Sequence, residues 1–153
     1  MSEVKETVEE LRNIHDGDAW HGPALLEILS GVTAEQASAK PIAGTHSIWE
    51  LVQHIMAWEN VLRFRLEGHT VTAPPEGDFP PVEGKDEAAW AETLSRMNDS
   101  HALLISKVEG MQDSALEEKV ADKYTIRFLL DGTIRHHVYH AGQIALLKKA
   151  LAN

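Results

Sequence analysis

The sequence predicts an all-α protein: a four-helix bundle with a broken first helix and a long Pro/Gly-rich loop between helices 2 and 3. Three observations lead there. Apolar residues recur three and four apart in four separate blocks, the spacing of one helix face. Proline falls between these blocks or at their starts. No segment shows a convincing strand pattern, and no repeat or low-complexity stretch occurs.

The first block, residues 3–15, carries Val4, Val8, Leu11 and Ile14. Asp16-Gly17-Asp18 interrupts it, and Pro23 suits the first turn of a continuation through residue 29, closed by Gly31. The first arm is therefore expected to break near Trp20-His21-Gly22. Residues 32–45 contain Pro41 and Gly44 and read as a connector with one short turn at most. Ser47 then caps the second helix, and Glu50 three residues on completes a capping box. That helix is expected to run to about residue 67 and stop at Gly68. Ile48, Leu51, Val52, Ile55, Trp58, Leu62 and Leu66 form its stripe, with His54 at the edge. Trp49 and Met56 project to a second side, read here as apolar surface for another partner.

Residues 68–85 include Pro74-Pro75, Pro80-Pro81 and three glycines, which excludes regular structure. A loop of this length often covers a site or crosses a bundle. Asp86 caps the third helix, which turns Trp90, Leu94, Met97, His101, Leu104, Ile105 and Val108 inward and ends at Gly110. The fourth spans residues 125–151, with Ile126, Leu129, Leu130, Thr133, His140, Ile144, Leu147 and Leu151 expected inward.

At 153 residues the chain is read as a single domain, residues 1–153, large enough to bury a real core. A net charge of −10 disfavours broad binding to nucleic acid or anionic membrane. Cysteine is absent, so disulfides, a cysteine nucleophile and thiolate ligands are excluded. The amino terminus lacks the apolar run of a secretory signal, and no stretch approaches the ~20 apolar residues of a membrane span. A cytoplasmic protein is expected by default.

Chemistry concentrates in His136-His137-Val138-Tyr139-His140-Ala141-Gly142-Gln143, three histidines within five residues. Imidazoles three or four apart on one helix face can chelate a transition metal. His140 sits near the centre of the apolar face, and His136 and His137 flank it about 100° apart. Both cannot readily join His140 on one small ion, and geometry leaves the choice between them open. A third ligand must come from another helix. His54 is the natural candidate, and His101, facing inward on the third helix, is the rival, although a core histidine bonded across the bundle is the better reading of it. His15, His21, His46 and His69 lie in or beside breaks and are expected to face solvent, with His21 able to rim a pocket.

Competing motifs fail. A di-iron carboxylate bundle needs Glu-x-x-His pairs, and Glu50 to His54 has the wrong spacing. His137 stands where a His-Glu-x-x-His zinc helix needs glutamate. There is no glycine-rich phosphate loop and no Gly-x-Ser-x-Gly elbow. Glu50 and Glu59 both lie near His54 in sequence and are candidate general bases, though Glu50 already has its capping role. Tyr139 points away from His140.

Trp20-His21-Gly22-Pro23, the run from His46 through Ile55, the run from His136 through Lys149 and the loop around Asp78-Phe79-Pro80-Pro81 together resemble the DinB-like (YfiT-like) superfamily. The resemblance implies a four-helix bundle holding one divalent metal by three histidines, one on the second helix and two, four apart, on the last. Matched position by position, these are His54, His136 and His140. It also implies that His137 departs from the family's usual Asp or Asn, and that Gln143 could orient a ligand or bound water. The surrounding pocket is expected to draw on Gln143, His137, Glu50, Trp58, His21 and His101.

Three neutral histidines with an open position describe a catalytic metal site. Zinc or nickel is expected first, with iron or copper also accepted by imidazole. Characterised relatives include transferases and isomerases that use low-molecular-weight thiols, so transfer of such a thiol to a small electrophile, or metal-assisted hydrolysis, is the expected activity. The alternatives are a non-catalytic metal-binding or stress protein and a homodimeric interaction module. A small-molecule substrate, joined in the transferase reading by a low-molecular-weight thiol cosubstrate, and a second copy of the chain in a homodimer are the expected partners; nucleic acid and membrane are not.

Overall fold

The computed structural model of the chain describes residues 2–152. Six helices appear in order: α1 (Glu3–Asp16), α2 (Leu25–Leu29), α3 (Ala34–Ser38), α4 (Ile48–Leu66), α5 (Glu87–Glu109) and α6 (Ile126–Leu151). The all-α reading therefore holds, with four long helices and a first arm broken between α1 and α2. A 3-10 turn, Asp113–Glu117, and a two-stranded hairpin, β1 (Lys119–Val120) against β2 (Tyr124–Thr125), join α5 to α6. The hairpin corrects the expectation of no strand. With two residues a side it is too short for any alternation to register, and its turn needs left-handed backbone at Ala121 and Asp122.

Capping residues set where the helices begin. Ser47 Oγ accepts from the Glu50 N–H at 3.2 Å while the Glu50 carboxylate accepts from the Ser47 N–H at 2.7 Å, the reciprocal box that starts α4. Thr33 and Gln36 repeat the device on α3. Asp86 and Thr125 accept from the N–H groups of Ala89 and Phe128 to start α5 and α6. Asp113 accepts from the Ser2 hydroxyl and from the Val4 and Glu3 N–H groups, which fastens the start of α1 to the α5–α6 connection.

The helix α4 lies against both α5 and α6, and α1 lies against the same two. Two apolar clusters result. One gathers α2, α3, the first half of α4, the start of α5 and the end of α6 around Leu25, Ile48, Trp49, Ile55, Met97 and Ile144. The other gathers α1, the end of α4, the end of α5 and the start of α6 around Leu11, Leu62, Leu104 and Leu130. Burying such side chains is the main term holding the bundle, at about 1.5–3 kcal/mol each.

Several side chains fall elsewhere than the sequence reading placed them. Trp49 and Met56 are buried, and Trp49 Nε1–H donates to Thr93 Oγ1 at 3.0 Å, so they supply no partner surface. The second side of α4 is occupied by α3 and α5, because a central bundle helix has neighbours on both flanks. On α6 the buried set is Ile126, Leu130, Ile134, His137, His140, Ala141, Ile144 and Leu147. Ile134 and His137 thus belong to the face expected to hold Thr133 and Leu129, which are only half-buried. His15, expected in solvent at a helix end, is buried because α1 continues one residue past it and keeps its stripe of Val4, Val8 and Leu11 in register.

Candidate metal centre

Between the two apolar clusters the long helices carry polar side chains inward, and these form two groups. The first unites His54 from α4 with His136 and His140 from α6, each offering a ring nitrogen within 4.8 Å of the others. His54 Nε2 lies 2.9 Å from His136 Nε2, and His140 Nε2 lies 3.1 Å from the same atom. Two nitrogens bound tetrahedrally to one zinc at ~2.0–2.1 Å stand about 3.4 Å apart. The three Nε2 atoms therefore fit one small cation after a shift of a few tenths of an ångström.

The tautomers point the same way. His54 Nδ1 faces the Asp78 backbone carbonyl at 2.6 Å; a carbonyl only accepts, so Nδ1 carries the proton and Nε2 is a bare lone pair. His140 Nδ1 donates to Gln143 Oε1 at 2.5 Å, with the same consequence. Outer acceptors that fix which nitrogen is free are the usual support of metal-binding histidines. Burial and the neighbouring imidazoles of His140 and His54 hold the His136 pKa down to about 4, and burial lowers that of His140. Both rings are accordingly neutral donors at ordinary pH.

The long loop covers this group. Its Asp78 carboxylate accepts from Trp58 Nε1–H at 2.7 Å, and Phe79 stacks on His54 at 4.1 Å between ring centres and on His46 at 3.6 Å. A cavity of about 390 Å³ opens on one side against His54, His136, Trp58, Phe128 and Thr133. A second of about 340 Å³ opens on the other against His46, Phe79, Tyr139, His140 and Gln143. A further cavity, about 620 Å³ between residues 65–72 and the hairpin, is lined by no histidine of either group.

Of the other residues singled out in the sequence, Gln143 and Trp58 stand beside this group. Glu50 does not touch it: its carboxylate meets the Ser47 N–H, Lys40 and His46, and reaches the site only through the His46–Phe79–His54 stack. His21 is exposed in a separate cavity beside α1. His137 and His101 join the second group.

That second group contains His15 from α1, Glu59 from α4, His101 from α5 and His137 from α6, all buried. Glu59 accepts from His137 Nδ1–H at 2.9 Å and from His101 Nδ1–H at 3.1 Å. His101 Nε2–H donates to the Leu11 carbonyl at 3.0 Å, bonding across the bundle as the sequence suggested. Burial alone would raise the Glu59 pKa, but the hydrogen bonds from His101 and His137 and the charge of His101 overcome it and keep the carboxyl far below its usual range. The same contact raises the His101 pKa against burial. Burial and the nearby His101 lower His15 to about 4.

Asp78 and Phe79 were visible in the sequence only as part of a resemblance, and the pairing of Glu59 with His101 and His137 was not foreseen. Its signal was a glutamate on an apolar stripe, four residues after Ile55 and three before Leu62, where a charge demands a partner.

No curated protein and no solved structure matches the chain. A family model does, over residues 7–144, a span that takes in His15 and both histidine groups. The chain belongs to the DinB superfamily.

Proposed function

We propose that His54, His136 and His140 hold one divalent metal ion, and that the protein is a metal-dependent enzyme transferring a low-molecular-weight thiol to a small electrophilic substrate. The observation that carries this reading is the convergence of three Nε2 atoms, two of them left as lone pairs because the Asp78 carbonyl and Gln143 accept from Nδ1–H of the same rings. Three protein ligands leave a coordination position free, the arrangement of catalytic rather than structural sites. A bound divalent cation supplies Lewis acidity there, enough to favour a thiolate at neutral pH.

The chain's own residues do the rest. The two cavities meet the triad from opposite sides, one at His54 and His136 and the other at His140, which gives separate room to a thiol and to its electrophile. Hydrolysis needs only one of them. Phe79 covers one face of the His54 ring, Trp58 holds the loop in place through Asp78, and Gln143 keeps the His140 ring oriented. The remaining half-exposed rim is largely apolar, suiting a small uncharged substrate.

Elemental analysis and a thiol-consumption assay test the reading together. Metal-loaded protein is expected to consume cysteine or glutathione only when an electrophile is present, and His140→Ala is expected to lose this turnover and one equivalent of metal. Retention of all the metal by His140→Ala overturns the site. Hydrolysis of an ester or amide without thiol consumption overturns the transferase reading, and metal binding with neither activity leaves a storage or stress role.

A further inference from the structure

The buried group around Glu59 has no part in that reaction, because none of the cavities beside the first triad is lined by His15, His101 or His137. We propose that it is a second, structural metal site, in which His15, His101 and His137 ligate a divalent transition metal and Glu59 positions and neutralises them. It is independent of the first site.

Each of the four long helices contributes one member, and the three histidines offer ring nitrogens within 4.8 Å of one another. Relative exposures are 6% for His15, 2% for Glu59, 3% for His101 and 1% for His137, so the group is sealed from solvent. Two of its nitrogens stand without any hydrogen-bond partner, His15 Nδ1 and His137 Nε2. Native interiors rarely leave buried polar atoms in that state, since each unmade bond costs about 1–3 kcal/mol.

Both open atoms are lone pairs, for a stated reason. His137 Nδ1–H donates to Glu59 Oε1, which leaves Nε2 unprotonated. His15 Nε2–H donates to Asn98 Oδ1 at 2.9 Å, which leaves Nδ1 unprotonated. This is the arrangement already met at His54 and His140, where an outer acceptor takes the proton of one nitrogen and frees the other. At His137 the acceptor is a carboxylate, the commonest outer partner of a metal-bound histidine. His15 and His101 stack on each other at 4.0 Å between ring centres and 13° between planes, while His137 stands 5.7 Å from each, so an ion's place is beside that stack on its His137 side, reached by a turn of one stacked ring. His101 donates from both nitrogens in this structure, so it supplies the third donor by releasing one proton on metal binding and giving up the bond that proton makes, and the Glu59 charge offsets half that of the cation. Nitrogen and carboxylate donors without thiolate suit zinc, cobalt or iron. Sealed from solvent, such a site admits no substrate, so it holds helices together and performs no turnover.

Because the group is sealed, the test loads metal during folding. Protein unfolded in guanidinium and refolded in excess Co²⁺, then freed of unbound ion, is expected to hold two equivalents. The double variant His54→Ala/His140→Ala, which leaves the inner group untouched, is expected to keep one equivalent with visible d–d absorption and a Tm above that of its metal-free form. His15→Gln, checked by circular dichroism for helix content, is expected to lose that equivalent. A single equivalent in the wild type that persists in the double variant and vanishes in His15→Gln supports the inner site while removing the outer one. A double variant that refolds and binds no Co²⁺ overturns the proposal and leaves a water-bridged polar core.

Discussion

The two histidine groups each draw three imidazoles from the long helices and differ in what surrounds them. The outer one, His54, His136 and His140, is met by two cavities and roofed by a loop. The inner one, His15, His101 and His137, is closed by four helices around a buried carboxylate. Adjacent residues of α6, His136 and His137, go one to each group because one helical step turns a side chain by about 100°. Access, and not donor type, is what separates a site able to do chemistry from one able only to hold the fold.

That contrast can be broken by exchanging which property a substitution damages. The largest expected effect is on the inner group: Glu59→Ala strands His101 and His137 in the core and lowers unfolding free energy by about 3–5 kcal/mol in a urea titration. Next comes Gln143→Ala, which frees the His140 ring and is expected to weaken metal affinity about 10–100-fold in a competition titration. Its effect on stability should stay within about 0.5 kcal/mol. Equal stability losses from these two substitutions would dissolve the distinction between the groups.

Smaller effects sharpen it. Phe79→Ala removes two ring stacks, worth about 0.5–1.5 kcal/mol apiece, and is expected to speed proteolysis of the loop over residues 67–86 while leaving the bundle intact. Glu50→Gln weakens the α4 capping box by about 0.5–1 kcal/mol. Burial would raise the Glu50 pKa, but the Ser47 N–H and Lys40 hold it below its ordinary 4.5. A depressed carboxylate stabilises the fold above pH 4.5, and the contribution disappears as pH falls through the folded-state value. The wild-type advantage over Glu50→Gln should therefore shrink in urea titrations below that pH.

Much of this was legible in the chain. The periodicity of four blocks, the Ser47–Glu50 box and Asp86 gave the helices nearly residue by residue, because caps and stripes are local signals. The inner group was not legible as a group. His101, between Met97 and Leu104, read as inward, but His137 read only as a flank of the His140 face and Glu59 only as a neighbour of His54 in sequence. Which helices face each other, and at what height, is decided by long-range contacts that no local pattern carries. The break after α1 misled in the same way: it suggested solvent for His15, whereas α1 ends beyond it.

The outer site is tested most directly by anomalous diffraction at the metal edge on crystals grown from metal-loaded protein. The account predicts a peak at about 2.0–2.2 Å from Nε2 of His54, His136 and His140, with no fourth protein ligand. Loaded crystals with no peak there, or with a protein side chain filling the remaining position, would contradict it.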